Sequence, residues 1–373
     1  MNRQEQRLLL GLDLQELTEF VEQAGEPAYR ARQLFHGLYR ERVSSPDSIS
    51  TLPRHLREVF RHEGIAIGRP EIERRFLSAD GTARYLLRMA DGETVETGWM
   101  PEGDEGEAGD GSDAGVEVAS LAQSARRGAT ICVSSQVGCA VNCQFCLTAL
   151  LGVKRNLTVG EILGQVLTVL DDQNRRPPEE RVNLVFMGMG EPFLNFENFI
   201  KAVRLLVAGV GIPESRMTVS TAGIVPRIED LGEEAVRPKL AISLNAPNDE
   251  LRTRLMPINR KWNLEKLMKA AREFPLRSRE KLTFEYVLLR DVNDSLVHAR
   301  QLAELVRGVN AKVNLIALNP GPGVEFATPD ERSVREFQET LIRSGMPAFV
   351  RRPRGRDIYA ACGQLKRTIE LSA

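Results

Sequence analysis

Cysteine is scarce in this chain, with five in 373 residues. That low, odd number argues against a secreted disulfide scaffold. A global basic excess is also missing. The formal net charge is −1, so total charge does not announce a nucleic-acid binder. No run approaches the roughly twenty apolar residues of a membrane span. The opening MNRQEQRLLLGLDLQEL has its apolar run broken by Asp13 and Glu16, which makes a poor signal peptide. What remains is ordinary globular composition, 42% hydrophobic, long enough for one large domain and an accessory piece. The expected location is the cytoplasm.

Residues 1 to 75 read as helical: LDLQELTEFVEQAG and AYRARQLFHGLYRERV carry apolar residues at three-and-four spacing, and Gly25 closes the first. Residues 76 to 128 then hold strand-like runs around Asp80-Gly81 and Asp91-Gly92, dipeptides that favour hairpins. Inside that stretch, residues 102 to 125 are rich in glycine and acid and hold too little apolar surface to order themselves. Their acids lack the ligand spacing of a calcium loop, so a disordered loop is expected. From 129 onward six strand-like runs (ATICVSS, RVNLVFMG, RMTVSTAG, KLAISLNA, KLTFEYVLL, AKVNLIALN) alternate with helical ones, the first of which opens on a capping box of Thr158 and Glu161. Near-continuous apolar strands alternating with helices imply a parallel α/β sheet. Six units are too few for an eight-stranded barrel, which leaves an incomplete barrel or an open doubly wound sheet.

Chemistry in such folds sits at the carboxyl ends of the strands. After the first strand come Cys139, Cys143 and Cys146, on a loop that Gly138 introduces. MGMGEP, with Gly190 and Glu191, follows the second; Ser220 ends the third, Ser243, Leu244 and Asn245 end the fourth, and Asn319 ends the sixth. Three thiols bunched this closely suit an iron–sulfur cluster with one iron left open, since a closed zinc site wants a fourth adjacent ligand. On spacing alone, zinc and simple packing stay open as alternatives.

The segments ICVSSQVGCAVNCQFC, RNLTVGEI, FMGMGEPFLN, STAGIVP, AISLNAPND and DIYAACGQL, in this order, resemble the RlmN/Cfr family of radical S-adenosylmethionine (SAM) enzymes, which methylate adenines in RNA. The resemblance spans nearly the whole chain. It implies an incomplete (β/α)6 radical-SAM barrel over 129–373, an N-terminal helical RNA-binding domain over 1–75, and a small β-hairpin connector between them. The long acidic insertion departs from the family, where this connection is short. Its deletion is expected to leave methylation intact.

The resemblance also implies site roles. Cys139, Cys143 and Cys146 would bind one 4Fe-4S cluster, and Gly190, Glu191, Ser220, Ser243, Leu244, Asn245 and Asn319 would contact SAM. Asn245 stands where the family usually has histidine. Cys362 would carry a methyl taken from one SAM, and Cys132 would release the product as a disulfide with Cys362, which requires thiolate character. Glu96, in TVETGWM, matches the family's proton acceptor. Taken singly, Cys132 and Cys362 read as packed residues and Glu96 as a surface acid. Their roles come from the resemblance.

The implied substrate is C2 of an adenine in 23S rRNA, with a tRNA adenine beside the anticodon as a second one. C8 methylation in the antibiotic-resistance branch is the nearest alternative, and a non-catalytic iron–sulfur redox sensor is an alternative from another class. Arginines crowd RSGMPAFVRRPRGRDIY just ahead of Cys362, and the N-terminal helices present Arg30, Arg32 and Arg40; both suit phosphate attraction, although a charge run is also a common solvated face. The implied partners are 23S rRNA, tRNA, SAM and an electron donor such as flavodoxin or ferredoxin. The chain is expected to be a monomer.

Overall fold

The computed structural model describes residues 7–101 and 128–360. The acidic insertion at 102–125 and Cys362 lie outside the described residues. The first helix, α1 (Leu14–Gln23), starts because Asp13 accepts the Glu16 N–H at 2.9 Å while the Glu16 carboxylate accepts the Asp13 N–H at 2.8 Å. Its buried stripe of Leu17, Phe20 and Val21 packs with α2 (Tyr29–His36) and α3 (Arg54–His62).

Three antiparallel strands follow: β1 (Glu71–Leu77), β2 (Ala83–Arg88) and β3 (Thr94–Pro101). Gly81 and Gly92 take positive φ in the two turns, as the Asp-Gly dipeptides predict. Beyond the insertion come β4 (Ala129–Cys132), a small hairpin β5 (Gln136–Gly138) and β6 (Val153–Asn156), and α4 (Val159–Asp172). The α4 capping box forms as expected, with Glu161 N–H on Thr158 Oγ1 at 3.2 Å and Thr158 N–H on Glu161 at 2.8 Å. The remaining order is β7 (Val182–Phe186), α5 (Phe196–Leu205), β8 (Met217–Thr221), α6 (Val225–Glu233), β9 (Lys239–Ser243), α7 (Asp249–Leu255), α8 (Leu264–Glu273), β10 (Leu282–Leu288), α9 (Leu296–Leu305), β11 (Ala311–Ala317), α10 (Glu331–Arg343) and β12 (Ala348–Val350).

All six expected strands are present as β4 and β7 to β11, parallel and adjacent in chain order. Several features differ from the sequence reading: β1 begins at Glu71, inside the stretch expected to be helical to residue 75. A short seventh parallel strand, β12, joins beyond β11. The expected hairpin connector is part of the same sheet, because β3 pairs antiparallel with β4, giving ten strands in the order β1-β2-β3-β4-β7-β8-β9-β10-β11-β12. The strands do not close on themselves, and β1 and β12 are the edges.

Register assigns the two faces. Gly98, Cys132, Val185 and Thr218 lie side by side across β3, β4, β7 and β8, while Ser243, Glu285 and Asn314 do so across β9, β10 and β11. Alternation puts all of these, with Ser220, on one inner face. The opposite face carries Ile131, Leu184, Phe186, Val219, Ile242 and Phe284, all buried in the core that the helices cover.

The N-terminal helices dock on α4. A Cβ on Gly160 would come within 2.3 Å of the Leu10 carbonyl, so only glycine permits that approach. The Tyr39 hydroxyl donates to the Leu12 carbonyl at 2.7 Å, and Arg42 and Arg69 share Asp171 at 3.1 and 2.6 Å. Past β12 the chain runs to the β1–β2 turn, where Gly355 N–H donates to Asp80 at 2.9 Å and Ser78 Oγ donates to Asp357 at 2.6 Å.

Candidate active site

The three-cysteine loop leaves β5 through Gly138, whose φ is +83° and where a Cβ would lie 1.8 Å from the Gly152 carbonyl. The loop closes on itself: Cys139 N–H donates to Gly152 at 2.8 Å and Cys146 N–H to Cys143 at 3.1 Å. Gln144 N–H ties it to the end of α7 through the Leu255 carbonyl at 2.9 Å. All three cysteines border one cavity at the carboxyl ends of the parallel strands.

The electrostatics there disfavour free thiolates. Burial pushes the Cys139 thiol up to about 12, helped by the negative charge of Cys146 and Glu191. Burial also lifts Cys143 well above its ordinary value, as do Cys146 and Cys139, with Arg252 acting in the other direction. Thiolates at Cys139 and Cys143, crowded together in a half-buried setting, need a cationic group to hold them ionised. Among the described residues, no three His, Cys, Asp or Glu side chains converge on a single metal ion. Three thiols bordering one cavity fit a multi-iron cluster by the chemistry of the donor set.

Six of the seven residues expected to contact SAM line that cavity: Gly190, Glu191, Ser220, Ser243, Asn245 and Asn319. Gly190 has φ +98°, and a Cβ there would meet the Gln136 backbone N at 2.6 Å. Glu191 is buried, its carboxylate accepting Ala222 N–H at 2.7 Å and Phe193 N–H at 3.1 Å, and burial lifts its pKa to about 7. The Ser220 and Ser243 hydroxyls stand 3.2 Å apart. Leu244 differs from the rest, with a fully buried side chain in the hydrophobic core. Only its backbone reaches the strand end, where its N–H donates to the Glu285 backbone carbonyl at 2.9 Å.

Asn245 sits in the left-handed region at φ +57° and braces two strand ends, its Oδ1 accepting Val287 N–H at 2.8 Å and its Nδ2 facing Met256 Sδ at 3.2 Å. Two cavity features escaped the sequence reading. Glu285 reaches the cavity from mid-strand, its pKa raised by burial against opposing effects from Arg351 and Asn314. Arg252 is fully buried behind the cavity and donates to the carbonyls of Ala222, Ser243 and Leu244 at 2.7, 3.2 and 3.1 Å. Its sequence signal, ELRTRL, is that of a solvated helix.

Glu96 and Cys132 meet through register. Gly98 is the direct partner of Cys132 across β3 and β4, and Glu96 lies two residues before Gly98, so both side chains share the inner face. Gly98 leaves the space between them open, and a Cβ there would approach Cys132 Cβ at 3.5 Å. Glu96 is buried against Arg84, with which it forms an ion pair, and Arg84 stacks 4.1 Å above the Phe76 ring. Glu96 is therefore no surface acid. Of the basic residues expected to face RNA, Arg32, Arg40, Arg352 and Arg356 are exposed, and Arg40 also donates to the Ala208 and Val210 carbonyls at 3.3 and 3.4 Å.

The model of the radical SAM superfamily matches residues 133–303, and that of the ribosomal RNA large subunit methyltransferase N-terminal domain matches residues 8–64. The chain is 64% identical over 348 residues to a probable dual-specificity RNA methyltransferase RlmN of Koribacter versatilis, covering 93% of this chain and 98% of that one. It is 43% identical over 350 residues to a dual-specificity RNA methyltransferase RlmN of Nitratiruptor, covering 93% and 95%. Among solved structures, a radical SAM methyltransferase from Sphaerobacter thermophilus superposes with a TM-score of 0.85 at 40% identity, over 96% of this chain and 99% of that one.

Proposed function

The chain belongs to the RlmN family of radical SAM RNA methyltransferases, and from that premise we propose that it methylates C2 of an adenine in 23S rRNA and of an adenine in tRNA, with Cys362 as methyl carrier and Cys132 as the thiol that releases the product. The observation that carries this reading is the register of β3 on β4, which turns Glu96 and Cys132 toward the face that also bears Ser220 and Ser243.

Adenine C2 lies between two ring nitrogens and is too electron-poor to attack a methyl sulfonium. A 4Fe-4S cluster and SAM, when bound, supply a carbon radical that abstracts hydrogen from an unactivated methyl group. Cys139, Cys143 and Cys146 hold the cluster. Glu191 takes the SAM ammonium, and Ser220, Ser243, Asn245 and Asn319 offer hydrogen bonds to its ribose and carboxylate. Gly190 lets the backbone approach, and Leu244 acts through its main chain.

Cys362 accepts a methyl on sulfur; that carbon gives up one hydrogen atom and bonds to C2, and the unpaired electron of the adduct would return to the bound cluster. Glu96 takes the proton that C2 must lose. Its burial beside Arg84 keeps it out of bulk water, so loss of Arg84 should disturb the step as well. Cys132 then attacks the Cys362 sulfur as a thiolate; a disulfide forms, the sulfur–carbon bond breaks with its electron pair left on carbon, and that carbon takes the proton back from Glu96 to become the methyl on the base. The target adenine has to leave its stack to reach the inner face. A flavodoxin- or ferredoxin-type protein donates the electron, and the enzyme works as a cytoplasmic monomer. No helix among the described residues is long and apolar enough to cross a membrane.

The test is anaerobic turnover of the reconstituted, reduced enzyme with SAM and unmodified 23S rRNA fragment or tRNA, followed by nucleoside mass spectrometry. C2-methyladenosine is the expected product. C8-methyladenosine would move the chain to the resistance branch, and no methylated adenosine alongside an active relative would sink the reading.

A further inference from the structure

A fully buried glutamine sits in the apolar helix α4, flanked by Leu163, Val166 and Leu167. Burying an amide without partners costs several kcal/mol by transfer to an apolar medium, and Gln165 satisfies both of its ends. Its Oε1 accepts Ser134 N–H at 2.9 Å and the Thr97 hydroxyl at 2.8 Å; its Nε2 donates to the Ser134 carbonyl at 3.0 Å and the Glu161 carbonyl at 3.2 Å.

What these partners touch points to a role. Thr97 lies between Glu96 and Gly98, and its hydroxyl is also 3.0 Å from the Cys132 carbonyl, so its single proton is shared between the strand end and Gln165. The Ser134 hydroxyl donates to the Glu96 carbonyl at 2.5 Å and accepts Met189 N–H at 2.8 Å, one residue before Gly190. The Glu96 N–H in turn points at Met189 Sδ, 3.3 Å away. One polar cluster thus fixes the main chain at Glu96, at Cys132 and at the loop that carries Gly190 and Glu191. Thr97 reaches it from the face opposite the Cys132 side chain, leaving the inner face open.

We propose that Thr97, Ser134 and Gln165 are positioning residues for product release: they hold the end of β4 so that the Cys132 thiol stays aimed at the inner face while the base is processed beside Glu96. This rests on the reading of Cys132 as the releasing thiol. Removing the Thr97 hydroxyl takes one donor away from the Cys132 carbonyl and loosens that aim without touching the cluster loop or the cavity wall.

The experiment compares the parent enzyme with Thr97→Val, Thr97→Ser, Gln165→Met and Cys132→Ala, each matched for iron and labile sulfide. Valine keeps the volume of threonine and lacks the proton. Three quantities are read: methylation of Cys362 by mass spectrometry, covalent RNA–protein adduct on denaturing gels, and released methylated RNA. Thr97→Val should keep Cys362 methylation at the parent level, release methylated RNA about tenfold more slowly, and accumulate adduct, a loss on the scale of one hydrogen bond. Thr97→Ser should restore release. Gln165→Met, which breaks the same cluster from the helix side, should also accumulate adduct, and it carries the test if Thr97→Val does not take up iron.

Release at the parent rate in Thr97→Val or Gln165→Met overturns the proposal. So does a parallel fall of Cys362 methylation and product with no adduct, which would mark a general packing defect. Cys132→Ala separates the two levels. If it accumulates adduct while the clamp variants behave as the parent does, the clamp alone is wrong. If it accumulates none, Cys132 is not the releasing thiol and the clamp's role falls with it.

Discussion

Arg252 shows how much a single side chain does behind the cavity. Its guanidinium is fully buried, and its hydrogen bonds go to neutral oxygens, three carbonyls at the ends of β8 and β9 and the Asn259 side chain at 2.9 Å. Burial lowers its pKa to about 10, which leaves it charged at neutral pH. Arg252→Met should therefore lower unfolding free energy by about 3 kcal/mol, since several charge-assisted bonds go at once; urea unfolding measures this, and a change near zero would contradict it. Glu191 gives a pH signature. Burial raises its carboxyl from 4.5 to about 7, so between these values the folded chain holds a proton that the unfolded chain has shed. Ligand-free stability should then fall as pH rises from about 4.5 to about 7, by up to about 3 kcal/mol relative to Glu191→Gln, whose side chain does not titrate. Equal slopes for the two proteins in paired melts would refute the assignment. Neither side chain was equally legible in the sequence. Glu191 stood in a recognisable motif, whereas Arg252, Gln165 and Arg84 gain their meaning from partners far along the chain, which no local pattern encodes.

At the level of elements, the strand runs were readable because both faces of a covered parallel sheet are largely apolar, and a run such as VNLVF leaves little else to choose. The capping box of α4 was equally local. β12 has three residues, too few to give a periodicity, and the pairing of β3 with β4 joins segments separated by the insertion. That second omission mattered more for the site, because the pairing is what brings Glu96 and Cys132 to one face. Gly138 supplies the prediction at this scale. Alanine there would meet the Gly152 carbonyl and hold a positive φ, so the β5–β6 hairpin that launches the cysteine loop cannot close. Gly138→Ala should cost about 3 kcal/mol in local strain and abolish iron uptake on reconstitution; full iron and sulfide content in the variant would show that the loop tolerates another path.

For the whole molecule, the accessory helices and the α/β sheet behave as one packed body. Leu10 and Tyr39 share a hydrophobic core with α4 and α5, and Asp171 at the end of α4 gathers Arg42, Arg69 and Arg176. Arg42 is buried, so Asp171→Asn leaves a cation with its main counter-charge gone, at an expected cost of about 2 kcal/mol, less than for a fully buried pair because Asp171 is partly exposed. If the N-terminal helices hold RNA, the same variant should raise KM for RNA while RNA-independent cleavage of SAM continues at the parent rate. A fall in SAM cleavage of the same size would locate the damage in the sheet instead.

The strand order carries a consequence for biosynthesis. Each strand of the ten-stranded sheet pairs with the one that precedes it in that sheet, so a chain emerging from the ribosome always finds the edge it needs already made. Loop closure between neighbours stays short, and assembly can proceed by accretion from β1 onward. The exception is the clasp between Asp80 and Gly355 and between Ser78 and Asp357, which joins points more than 270 residues apart. It can form only after β12 has been made, so the β1–β2 turn, one of the first parts of the sheet to emerge, waits longest for its partner.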